Sequence, residues 1–150
     1  MTPDQQADQV LALHAAALAA LQTQPALDVL DGAIDDAGEP TYRLDPDKRV
    51  HITAVLWFGI GSRYDTGQDS LCGGRDLTPV TFQVTAVGGD ADRARRAALL
   101  VRAALTGKHL IPAAGACLEQ LDATNPRPDT SATPARYIIP VLYRVDLNQS

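Results

Sequence analysis

From residue 3 to residue 22 apolar side chains recur at helical spacing. Ala7, Val10, Leu11, His14, Ala17, Leu18 and Leu21 fall on one stripe. Ahead of the stripe, Thr2 can cap a helix, Pro3 suits its first turn, Asp4 complements its dipole and Gln5 completes a capping box. The period then changes. "VHITAVLWF" (50–58) is dense in β-branched and aromatic residues and predicts a strand buried on at least one face. In "VTFQVTA" (80–86) Val80, Phe82, Val84 and Ala86 alternate with Thr81, Gln83 and Thr85, the period of two of a half-buried strand. A 3.6-residue period returns after an Asp90 cap. Ala94, Ala97, Ala98, Val101, Ala104 and Leu105 make a stripe that stops before Gly107.

Shorter signals fill the remainder. "GAID" (32–35) and "ACLEQLDAT" (116–124) can each supply a short strand, and "NPRPDTSATP" (125–134) reads as a flexible polar loop. "RYIIPVLYRVDL" (136–147) reads as a closing strand whose Pro140 removes a ladder donor, placing it at an edge or a bulge. Gly59, Gly61, Gly67, Gly73 and Gly74 mark a long loop reaching about Thr78. The order helix, strands, helix, strands predicts one α+β domain over residues 1–150. Its mixed or antiparallel sheet of about four to five strands is packed by the N-terminal helix and a second, central helix.

Composition narrows the picture. With 150 residues, 45% of them hydrophobic and only 5% aromatic, the core must be built mainly from Ala, Val, Leu and Ile. A net charge of −5 disfavours a general nucleic-acid binder, which needs surplus Lys and Arg. Cys72 and Cys117 form neither a zinc spacing nor a disulfide framework. "MTPDQQADQV" lacks the basic flank and apolar run of a signal peptide, and no stretch is long enough to span a bilayer. The expectation is therefore no membrane association.

The strand–glycine–helix step at Gly88-Gly89-Asp90 superficially suggests a phosphate site. A phosphate loop needs Gly-Lys-Ser/Thr and a dinucleotide site needs three spaced glycines, whereas here an aspartate occupies the helix's first amides and repels an anion. The glycines are read as a plain turn, with a positive φ at one of them. His14, within an apolar stripe, is read as a packed, hydrogen-bonded core histidine with no visible partner for proton transfer. His51 and His109 have no acid or thiol grouping, and Ser62 and Ser70 lack a nucleophile setting. The acids of "DDAGE" and "DPDK" are ordinary turn residues. No catalytic residue, cofactor site or metal site emerges, and the chain is read as a non-enzyme.

The central helix carries Arg93, Arg95, Arg96 and Arg102, with Leu99 among them rather than on the core stripe. This is either a solvated basic face or a subunit contact in which Leu99, with Arg95 and Arg102, meets acids on a neighbour.

Three segments, "YRLDPDKRVHITAVLWFGIGSR", "SLCGGRDLTPVTFQVTAVGGDADRARRAALLVRAALTGKHL" and "ATPARYIIPVLYRVDL", resemble tail terminator proteins of long-tailed bacteriophages. The likeness spans roughly residues 41–146. It rests on D-P-D-x-R-V before the first long strand, L-C-G before the central strand, F-Q-V-T-x-V-G-G with its Arg/Ala-rich helix, and the final P-x-R-Y-x-x-P-x-L-Y-R strand. The resemblance implies a homo-oligomeric, hexameric ring at the head-proximal end of the virion's tail, assembled in the host cytoplasm. Its partners are the tail-tube protein and the head–tail connector. It ends tube polymerisation and lets DNA pass through its lumen unbound. A neck adaptor or tail-tube subunit, and more remotely a small enzyme, remain as alternatives. Loops 59–78, with Arg63, Tyr64 and Asp65, and 124–134, with Arg127 and Asp129, are the candidates for docking neighbouring rings, since binding work concentrates on loops.

Overall fold

The computed structural model describes residues 2–32, 41–59, 77–120, 125–131 and 133–148. Helix α1, Pro3–Gln22, starts with the expected capping box: the Gln5 N–H donates to the Thr2 hydroxyl (3.2 Å) and the Thr2 N–H to Gln5 Oε1 (2.9 Å). Its buried stripe is rotated from the one the spacing predicts. Val10, Leu13, Ala17 and Leu21 are buried, whereas Ala7 and Leu11 lie in solvent. A chain rich in Ala and Leu offers several stripes of similar hydrophobicity, and the packing selects one.

Strand β1, Asp28–Asp31, runs parallel to β2, Thr53–Phe58, in the register Asp28↔Thr53 to Asp31↔Leu56. The first described strand is thus "DVLD", a strand the sequence reading did not pick out. Gly32, at φ +52°, turns the chain out of it, and residues 33–35 of "GAID" lie outside the described residues. Strand β3, Leu77–Gly88, is antiparallel both to β2 and to β6, Arg136–Asn148, which it follows from Leu77↔Asn148 to Gly88↔Tyr137. On the far side of β6 lie β4, Leu118–Glu119, and β5, Arg127–Asp129. The six-stranded mixed sheet has the order β1-β2-β3-β6-β4, with β5 also on β6. The segment expected as a flexible loop at 125–134 therefore contains a strand, held by the free edge that β6 offers.

Strand β6 is interior rather than an edge, a correction to the reading of Pro140. The rule behind that reading still holds locally. The Leu142 carbonyl accepts from the Gln120 N–H (2.8 Å), so Pro140, two residues earlier, faces the same side, in the gap between β5 and β4.

One sheet face carries Val80, Phe82, Val84 and Ala86 with Ile139, Val141, Tyr143 and Val145, and both helices cover it. Phe58, Phe82 and Tyr143 stack in a row, with ring centroids 4.9 and 5.4 Å apart. Burial pushes the Tyr143 phenol up to about 12, and its hydroxyl pairs with that of Thr106 (2.8 Å). The second helix, α2, spans Ala91–Leu105 with the predicted Asp90 cap, whose carboxylate accepts from the Arg93 N–H (2.8 Å). Its buried residues are the six predicted ones. Alanine at four of them lets the helix lie close to the strands. The opposite sheet face has a smaller cluster of Val50, Val55 and Val87 against Leu30, Tyr42 and Ile138.

Neither Gly88 nor Gly89 has a positive φ; among the described glycines that conformation occurs at Gly32 and Gly107. Space, not dihedral freedom, requires glycine at the turn. A Cβ on Gly88 would lie 2.5 Å from the Ala94 nitrogen, and one on Gly89 2.4 Å from the Arg49 Cβ. No helix among the described residues is long and apolar enough to cross a membrane.

Candidate functional site

The turn between β3 and α2 is where the sequence motifs converge. The Gly89 N–H donates to the Val50 carbonyl (2.9 Å), which draws the "DPDKRV" segment against the start of α2. Arg93 then reaches Asp47 (2.6 Å), Asp90 (3.4 Å) and Asp45 (3.5 Å), and Arg49 reaches Asp90 (3.4 Å). The Arg93 hydrogen bond holds the Asp47 carboxyl below its usual range, and the same contact raises the guanidinium of Arg93. His51 closes the network: its Nδ1 lies 2.6 Å from Asp45 Oδ1 and its Nε2 2.9 Å from the Ala26 carbonyl. These turn acids are structural counter-charges rather than free solvated groups. The cluster fixes one end of the domain.

The outer face of α2 divides into committed and uncommitted arginines. Arg102 reaches back to Glu119 on β4 (2.8 Å), a carboxylate with only 15% of its side chain exposed. Arg95 pairs with Asp92 within its own turn (2.7 Å), and Arg96 has no ion-pair partner among the described residues. Leu99 stands between them, 61% exposed. Of the three predicted contact residues, the structure thus leaves Arg95 and Leu99 outward and ties Arg102 to its own sheet.

A second feature was not legible in the sequence. Where β1 and β2 end beside α1, a groove of about 330 Å³ opens between Val10, Leu11, Leu56, Trp57 and Phe58, with His14 and Asp31 in its wall. The His14 Nε2–H donates to Asp31 Oδ1 (2.7 Å), and its ring lies 5.2 Å from that of Phe58. His14 is hydrogen-bonded, as the sequence reading has it, but its side chain is 27% exposed rather than in the core: it ties α1 to the end of β1. A second open hollow of about 330 Å³ shares Val10 and Leu11 and runs towards Pro3. The described residues lining both hollows are largely apolar and include no Lys or Arg.

Of the proposed docking residues, Arg63, Tyr64 and Asp65 lie outside the described residues. Arg127 is exposed on β5. Asp129 is engaged by Ser131 and by Arg136 (3.2 Å), and these contacts, Ser131 first, hold its carboxyl below the usual range. Cys117 is buried, its thiol pushed up to about 11 by desolvation. No three His, Cys, Asp or Glu among the described residues gather into a metal-holding group. In comparisons with known proteins, no family model and no curated protein matches the chain.

Proposed function

We propose that this chain is a structural subunit of a phage tail, a tail terminator that forms a ring, caps the tail tube and joins the tail to the head connector. The reading begins from the sequence resemblance. One structural observation carries it further: the segments that bear the resemblance pack as one unit. The "FQVTAVGG" strand β3 pairs with the "RYIIPVLYR" strand β6, α2 packs on both, and "DPDKRV" is pinned to the turn by Gly89 and Arg93. Residues dispersed over the likeness thus serve one local architecture, as expected if a fold rather than a catalytic site is what the family shares. Function then resides in surfaces. A terminator needs one face that docks on a growing tube and another that refuses the next tube ring.

The test is genetic and biochemical. A phage lacking this protein should make tubes that overrun their normal length and fail to join heads. Purified protein added back should cap those tubes at one end only. Normal-length tails joined to heads in its absence would overturn the terminator role in favour of a neck adaptor. Long polymers formed by the purified protein alone would identify a tube subunit.

A further inference from the structure

We infer that the exposed face of α2 on one copy of this chain docks into the α1 groove of a second copy, with Leu99 as the plug and the trough around Leu11 as the socket. The inference rests on the ring-forming role proposed above and supplies its contact. Leu11 and Leu99 are the two most exposed large apolar residues among the described ones, at 64% and 61%. Each lies on a helix, yet their surroundings have opposite charge. Leu99 has Arg95 and Arg96 one turn before it, and neither is held elsewhere in the fold: Arg95 meets only Asp92, itself 93% exposed, and Arg96 has no ion-pair partner among the described residues. Surface pairs within one helical turn are weak and exchange readily. Leu11 has Asp8 one turn before it and Asp4 a further turn back, both exposed, while Asp31 stands in the wall of the groove.

The placement of the two patches fixes the type of contact. Arg102 on α2 reaches β4, at one edge of the sheet, whereas the socket opens beside β1, at the opposite edge. The patches are different surfaces on opposite flanks, so copies join head to tail, and repetition closes a ring or extends a filament. Trp57 beside the socket and arginines beside the plug are the residue types that dominate interface energetics.

The test uses the full chain and two variants, Leu11→Asp and Leu99→Asp. Both positions are exposed, so each variant should keep the thermal midpoint of the unmodified protein. Each alone should weaken self-association by about tenfold or more, read as mass by sedimentation at matched concentration. Mixed in equal amounts, the variants should form heterodimers and nothing larger, because each retains one working patch. Arg96→Glu and Asp8→Arg should each weaken assembly, and their combination in one chain should restore it. Variants that assemble like the unmodified chain overturn the inference and leave the terminator reading intact. Failure of the mixture to dimerise overturns the head-to-tail pairing. An unmodified chain that stays monomeric yet caps tubes also overturns the inference alone. One that assembles through these residues but never caps tubes overturns the terminator reading alone.

Discussion

Helices α1 and α2 lie on the same face of one sheet, yet their sequences constrain them differently. Helix α2 has Asp92, Arg93, Arg95, Arg96 and Arg102 distributed around its outer side, and any rotation about its axis would drive a charge into the core. Helix α1 has no charged residue between Gln9 and Gln22. Its rotation is therefore set by how Leu13, Ala17 and Leu21 pack, with His14 caught by Asp31 as a lateral tie. Polar residues define a helix face more sharply than apolar ones do. The residue left over differs accordingly: on α2 it is a leucine amid arginines, on α1 a leucine above an apolar trough.

The contrast can be tested by substitution. Leu13→Ala should show the largest effect, about 2–5 kcal/mol of lost stability, since a fully buried side chain leaves a cavity. Equal effects of Leu13→Ala and Leu11→Ala in urea unfolding would show that the rotation of α1 is wrong. Gly88→Ala, at the base of α2, should cost about 1–3 kcal/mol, because its Cβ meets backbone atoms that cannot yield easily. Tyr143→Phe should cost about 1 kcal/mol through the lost pairing with Thr106. Leu11→Ala in the isolated chain should change stability by less than about 0.5 kcal/mol, as expected for an exposed position.

A pH titration sharpens the comparison on the α2 side. The carboxyls of Asp47 and Asp129 are held below their unfolded values. Their contribution is therefore present above the unfolded carboxylate range, near about 4, and is lost as pH falls through the lower folded values. Asp47→Asn should make unfolding less dependent on pH below about 4, and by a small amount, because the pair is at the surface. Thermal midpoints collected across that range for both proteins measure the difference.

Much of the fold was legible because local and tertiary preferences agree. The alternation of β3, the Asp90 cap, the alanine stripe of α2 and the capping box at Thr2 each follow from residues within a few positions of one another. The parts that were missed depend on distant partners. β5 forms because β6 offers an edge, β1 because β2 does, and neither strand carries a strong pattern of its own. The candidate surfaces divide in the same way. Leu99 stood out as an apolar residue among charges. The socket did not, because it needs Leu11 turned outward and Asp31 brought beside His14 from 17 positions away. The pairing of Arg93 with Asp47 spans a wider gulf, 46 positions, and no local signal specifies it.

Strand β6 sets the order in which the sheet can be completed during synthesis. It supplies the partner for β3 along its whole length and, among the described residues, the one strand contact of β4 and of β5. Until residues 136–148 leave the ribosome, β3 has, among the described strands, β2 alone beside it, and its long outer edge is open to other chains. Such late, non-local pairing slows folding and lengthens exposure of an adhesive edge. Many copies made side by side on neighbouring ribosomes would meet in that half-built form. A nascent chain stalled just short of Arg136 should therefore bind a chaperone more persistently than one stalled well beyond Asn148.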